Sequence, residues 1–344
     1  MNPGYLACGG WIANAVAAAA RLGIADLLED RPRSAAELAA HTGTQEAIVE
    51  RLMNLLVTVK LFAETDDARY ANTDDSRLLC DRHPQSIRHF CILAGDVYQR
   101  GFGELMHTLH SGKPGLERAY GMSLLELMRE QPETGAIYDK AMEDLSRPVG
   151  AALAASRDFT GVRLIVDIGG GRGALLRGLL RQLPAAPDGL VNGLTKGLVL
   201  DRAGVCERAT AALPGEAPDL VGRLSFESGD FFSAVPPGAD LYLLKNVLHN
   251  WSDEHCRQLL GKVRDVLQGR PAARLLIIEP VLDGEMPALY KALDSLMQTV
   301  VSEAGSRGRS AEELRALATT AGLTVTGSHS LKSGQLVIEA KASP

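Results

Sequence analysis

Two hydrophobic patterns divide the chain. Up to about residue 155 one helical stretch follows another. Residues 11–28, WIANAVAAAARLGIADLL, make an apolar, alanine-rich run that predicts a single buried helix without a polar face. Residues 33–43 open with Ser34 and Glu37 in capping-box spacing and close near Gly43. Thr44 is placed to cap a further helix over 45–62, and residues 63–73 predict a short hairpin turning at Asp66 and Asp67. Two helices and a hairpin form a winged-helix pattern. From about residue 160 short apolar runs take over: LIVDIGG, GLVLD, LYLLKNV and LLIIEP. Helical stretches such as ALLRGLLRQLP and DEHCRQLLGKVRDVL lie between them. Strand alternating with helix predicts a parallel sheet covered on both faces, with any site at the carboxyl ends of its strands. Residues 184–197, PAAPDGLVNGLTKG, read as a loop insertion.

Length and charge narrow the class. At 344 residues the chain has room for two domains, here 1–155 and 156–344. Its 36 basic and 42 acidic residues give a net charge of −6, which gives no sign of a polyanion-binding surface. The would-be recognition helix sets Glu46 and Glu50 against Arg51 and Lys60, so the winged-helix pattern points to dimerisation or substrate covering, with no nucleic acid. Five scattered cysteines without a CxxC predict reduced thiols, a cytoplasmic setting and no metal. The run over 11–28 carries Asn14, Arg21 and Asp26, which argues against a membrane span.

Candidate chemistry begins at VDIGGGRGALL, where glycines 169, 170, 171 and 173 stand between a strand and a helix. Such a loop lets a ligand approach the backbone at a helix N-terminus. Alone it fits a dinucleotide fingerprint, an S-adenosylmethionine loop or a plain strand–helix turn. Asp167 before the glycines, Asp201 ending the next strand and Asp230–Phe231 in GDFF favour the second. Asp201 suits two ribose hydroxyls, Asp230 an adenine amino group, and Phe231 the ring.

Joined in this order, LIVDIGGGRGALL, GLVLD, SGDFFSAVPPGADLYLLKNVLHNWSDEHC and LLIIEPVL resemble the class I S-adenosylmethionine-dependent O-methyltransferases. The subgroup holds plant phenolic and hydroxyindole O-methyltransferases and bacterial enzymes that tailor natural products. The resemblance covers nearly the whole chain. It implies a Rossmann-like α/β domain of seven strands with the last antiparallel, LTVTGSHSLKSGQLVIEAK supplying the terminal hairpin. It also implies a winged-helix-like, mostly helical N-terminal domain that forms a homodimer. By position, Gly169, Gly171, Asp201, Asp230, Phe231 and Lys245 would contact the cofactor.

The same resemblance makes His249 the general base toward a phenolic hydroxyl of a small aromatic natural product, and Glu279 its orienter. An imidazole with a pKa of about 6.5 can accept the proton of a phenol with a pKa of about 10. Phe102, Tyr138, Met142, Asn246 and Met297 are substrate-pocket candidates. The family often places a second glutamate in a Gly-Gly-Arg-Glu-Arg-Thr segment. This chain reads GSRGRS there, with Gly308 at that position, and Asn250 replaces a common aspartate. Two other readings therefore stay open. One is S-adenosylmethionine-supported chemistry other than O-methylation: hydroxylation, decarboxylation, cyclisation, or C- or N-methylation. The other is a winged-helix regulator with a degenerate enzyme domain.

Overall fold

The computed structural model describes residues 2–183 and 195–343. Most of the loop expected at 184–197 lies outside them. Two compact units divide the chain: residues 1–103 with 130–145, and residues 104–129 with 146–344.

In the first unit the apolar run over 11–28 is not one helix. Gly23 adopts φ +67°, which the helix cannot continue through, so helix Gly9–Arg21 stops and a short helix Ile24–Leu27 restarts. Ala15, Ala17, Ala19 and Ala20 face inward, while Trp11 is exposed. Ser34 and Glu37 form the capping box of helix Ala35–Thr42, which ends at left-handed Gly43. Thr44 does not cap the next helix. Its hydroxyl pairs with Thr42 Oγ1 at 2.7 Å, and helix Glu46–Thr58 begins after Gln45 without a side-chain cap. The helix is also shorter than expected, because Lys60 turns at φ +66° and frees Phe62 to enter a strand. Strands β1 (Phe62–Glu64) and β2 (Tyr70–Asn72) pair antiparallel in the expected hairpin. Leu38, Met53, Leu56 and Phe62 fill this unit's core.

The second unit is built on seven strands. These are β3 (Leu164–Ile168), β4 (Lys196–Asp201), β5 (Leu224–Ser228), β6 (Leu241–Lys245), β7 (Arg274–Glu279), β8 (Leu323–Ser330) and β9 (Leu336–Ala342). Their spatial order is β5-β4-β3-β6-β7-β9-β8. The first five run parallel, and β9 pairs antiparallel with both β7 and β8. Both faces of the sheet are covered, so the central strands read as unbroken apolar runs. Val166, Ile168, Tyr242, Leu244 and Ile277 pack on one side with helices Asp253–Leu267 and Ala311–Thr320. Ile165, Leu243, Leu276 and Ile278 pack on the other side with helix Ala174–Gln182 and with Val149 and Leu153. Strand order reverses at β3, which lies between β4 and β6, and the carboxyl edge there is where such sheets bind ligands. Among the described residues no helix is long and apolar enough to cross a membrane, and no group of three or more His, Cys, Asp or Glu could hold a metal.

Candidate active site

The carboxyl ends of β3 to β7 bring together candidates that lie up to 112 residues apart in sequence, from Asp167 to Glu279. After β3, Gly169, Gly171 and Gly173 take φ of +71°, +59° and +76°. These left-handed values turn the loop into helix Ala174–Gln182. Gly170 is required for a different reason. A Cβ there would lie 2.5 Å from Asp167 Oδ2, so the carboxylate presses against a peptide with no side chain. Asp201, ending β4, accepts from Gly171 N at 2.9 Å and Arg202 N at 2.7 Å. It thus holds the loop and presents a carboxylate beside it. Asp230 accepts from Phe232 N (3.0 Å) and Ser233 Oγ (2.7 Å), closing the turn that carries Phe231. Phe231, Phe232 and Trp251 meet edge to face, with ring centroids 4.7–6.0 Å apart.

Lys245 ends β6 and donates to Ser146 Oγ at 2.9 Å. Burial lowers its pKa to about 8, against the pull of Glu279 and Asp167. Burial raises Asp167 to about 7, with Lys245 opposing and Asp201 adding to the rise. Asp167 Oδ2 is buried without a hydrogen-bond partner. A buried acceptor beside a left-handed glycine loop suits a ligand that donates, such as one carrying an ammonium group.

His249 is the middle residue of a single 3₁₀ turn, Leu248–Asn250, between β6 and helix Asp253–Leu267. Ser252 caps that helix by accepting from His255 N. Glu279, 1% exposed at the end of β7, serves the turn twice. Oε1 accepts from Val247 N (2.9 Å) and Leu248 N (2.8 Å), and Oε2 lies 3.0 Å from His249 Nδ1. That second contact is within ion-pair range but does not meet hydrogen-bond geometry. Burial lowers the His249 pKa, helped by Lys245, but the Glu279 charge and side-chain contact together with Asp294 carry the net direction upward from 6.5.

Asn246 has φ +53°, uncommon for a residue with a Cβ, and its Oδ1 is buried without a partner. Met297 lies half-buried on helix Ala288–Val301. Phe102, Tyr138 and Met142 are half-buried residues of the first unit. At Gly308 an added Cβ would come within 3.0 Å of Leu282 and 3.4 Å of Ser295, so the position leaves little room for a larger side chain.

Three groups escape sequence reasoning. Asp294, one turn before Gln298, acts on His249 through space, and its own pKa is raised by burial. Glu303 accepts from Ser252 N (2.5 Å) and faces His255 Nδ1 at 2.7 Å. Arg309 donates to the carbonyls of Leu248 and Trp251 and to Asp253. Asp253, in the first turn of helix Asp253–Leu267, is thus the partner of Arg309. The only sequence signal for these groups is their closeness to the Gly308 segment.

The family model for the O-methyltransferase domain matches residues 102–324, and that for the O-methyltransferase dimerisation domain matches residues 5–82. The chain belongs to the O-methyltransferase family. It is 34% identical over 319 residues to a mitomycin biosynthesis 6-O-methyltransferase of Streptomyces lavendulae, covering 92% of this chain and 87% of that one. The crystal structure of LaPhzM matches with a TM-score of 0.88 at 29% identity, over 98% of this chain and 97% of that chain. The O-methyltransferase of neocarzinostatin biosynthesis, solved with S-adenosylmethionine and 2-hydroxy-5-methyl naphthoic acid, matches with a TM-score of 0.77 at 30% identity, covering 96% of each chain. The enzyme is an S-adenosylmethionine-dependent O-methyltransferase of secondary metabolism, and its glycine loop fits that cofactor.

Proposed function

We propose that this methyltransferase acts on a phenolic hydroxyl of a small aromatic natural product, with His249 as general base. The observation that carries the reading is the buried Glu279 carboxylate, fixed by two backbone N–H groups and lying 3.0 Å from His249 Nδ1. A carboxylate on that side keeps the proton on Nδ1 and leaves Nε2 as the accepting nitrogen. When bound, S-adenosylmethionine supplies an electrophilic methyl on its sulfonium. Asp201 and Asp230 take its ribose and adenine, Phe231 covers the ring, Lys245 and the loop of Gly169 and Gly171 complete the cradle, and Asp167 offers the buried acceptor. Nε2 would take the proton of the acceptor hydroxyl as that oxygen gains the methyl. Asn246, with its unpaired Oδ1, and Met297 are the acceptor-side candidates of the second unit. The dimerisation-domain match over 5–82 supports a homodimer.

The raised pKa sets the pH dependence. The base must be neutral, and His249 holds its proton above pH 6.5. The rate therefore climbs with pH through a midpoint above 6.5. His249→Ala should lower kcat by roughly 10²–10⁴-fold at pH 7, with cofactor affinity nearly unchanged. The loss should shrink as pH approaches the acceptor's own pKa. Steady-state kinetics with a panel of phenols, read by mass spectrometry, decide this; a mutant keeping full kcat across the pH range would sink the base assignment.

N-methylation is the second reading. A relative at 31% identity over 289 residues is the phenazine-1-carboxylate N-methyltransferase of Pseudomonas aeruginosa. Aromatic amines in the same panel separate the two: product mass with amines and none with phenols would replace oxygen by nitrogen as the acceptor atom.

A further inference from the structure

The segment 303–310, EAGSRGRS, is remote in sequence from the histidine turn but grips its backbone. Arg309 is 2% exposed. Its chain position is fixed by a bridge to Val281, just beyond β7, and by Leu282 N donating to its carbonyl at 3.0 Å. The guanidinium then reaches the turn from within the protein. One terminal nitrogen donates to Leu248 O (2.8 Å), and the other to Trp251 O (2.8 Å) and Asp253 Oδ1 (2.7 Å). Nε donates to the same Asp253 oxygen at 3.0 Å. The two carbonyls lie on either side of His249.

A buried guanidinium persists only when its donors are largely satisfied, and here four of the five N–H groups are taken by three acceptors. The planar fork matters. A lysine at the same place offers a point charge on a flexible stem and cannot span both carbonyls and the carboxylate in one geometry. Glu279 holds the amide side of the turn through Val247 N and Leu248 N, and Arg309 holds the carbonyl side. The imidazole hangs between these two anchors.

We propose that Arg309 is a positioning residue for His249, setting the imidazole against Glu279 by clamping the carbonyls of Leu248 and Trp251. Its consequence for catalysis rests on the base role proposed above; its test does not. The His249 titration is measured directly by side-chain NMR of the full chain with ¹⁵N-labelled histidine, the signal being assigned with His249→Gln. Arg309→Lys keeps the charge and loses the fork. In the wild type the midpoint should lie above 6.5. In Arg309→Lys the Glu279 contact loosens while burial remains, so the midpoint should fall by about half a unit or more. Affinity for S-adenosylhomocysteine, read by calorimetry, should stay within about twofold of wild type, since the glycine loop is untouched.

An unchanged midpoint in folded Arg309→Lys overturns the proposal, and so does a loss of S-adenosylhomocysteine affinity beyond about tenfold, which would mark a disturbance of the whole sheet edge. If Arg309→Lys does not fold, Asp253→Glu decides. It keeps the charge, moves the carboxylate by one methylene at a side chain 44% exposed, and displaces the guanidinium. A fall in the His249 midpoint supports the clamp, and an unchanged one overturns it. The kinetics of His249→Ala judge the base assignment separately.

Discussion

The glycine loop after β3 and the histidine turn after β6 end neighbouring strands, yet they are held by opposite means. The loop is shaped by its own residues. Left-handed φ at Gly169, Gly171 and Gly173 and the absent Cβ of Gly170 set its course, with Asp201 adding one bond at Gly171 N. The turn has a residue of its own at positive φ, Asn246, but its backbone is fixed from elsewhere. Glu279 takes two amides, Arg309 two carbonyls and Glu303 the amide of Ser252. A loop of the first kind can cradle a ligand that approaches backbone. A turn of the second kind holds a titrating side chain against a carboxylate, where a shift of an ångström changes the chemistry.

The comparison breaks most sharply at Glu279. Glu279→Gln removes the charge that faces His249 and weakens the amide anchor, so kcat should fall by at least about 10²-fold, the lower range of general-base effects. The sign of the pH effect follows from the causes. Burial, the largest cause, lowers the His249 pKa with Lys245, while Glu279 raises it by charge and side-chain contact and Asp294 adds a smaller rise, so without Glu279 the lowering causes win. The midpoint of the rate profile should therefore move from above 6.5 to below it, with S-adenosylhomocysteine affinity little changed. A midpoint that stays above 6.5 would mean another group holds the imidazole proton.

Asp201→Ala should do the reverse, spending its effect on the loop. A charge-assisted hydrogen bond is worth about 1.5–3 kcal/mol, so S-adenosylhomocysteine should bind roughly ten- to a hundredfold more weakly by calorimetry. The His249 midpoint should not move. Equal affinity for wild type and variant would remove Asp201 from the cofactor site. Gly170→Ala carries the smallest effect. Its Cβ must push the Asp167 carboxylate from 2.5 Å, a strain of about 1–3 kcal/mol. It should appear as a lower melting temperature and weaker S-adenosylhomocysteine binding, with kcat at saturation nearly kept. A variant as stable as wild type would show that Asp167 moves freely.

The same division explains what could be read from the chain. The loop was legible because glycine spacing is its structure. Asp201, Lys245, His249 and Glu279 were legible because each ends or follows an apolar strand and so lands at the carboxyl edge, and Asp230 because of the GDFF motif. β5 was harder, since LSFES is short and mostly exposed, an edge strand with one neighbour. The helix over 11–28 was misjudged because alanine content outweighed one glycine at φ +67°. Thr44 was misjudged because its hydroxyl had a nearer partner in Thr42.

The sequence by itself determined the α/β alternation, the glycine loop, the hairpin of the first unit and the edge on which the chemistry gathers. Local propensity, strand periodicity and backbone conformation act over a few residues, and those are written in order along the chain. Beyond Glu279, only the tertiary structure decided what surrounds His249. Arg309 is 61 residues from Leu248. Glu303 is 51 from Ser252, and Asp294 comes from a helix of its own. These groups read as ordinary polar residues in the sequence. They act on the histidine because a buried charge must find every partner it can, and the packing of helix Ala288–Val301 and the segment after it against the carboxyl edge puts those partners on one turn.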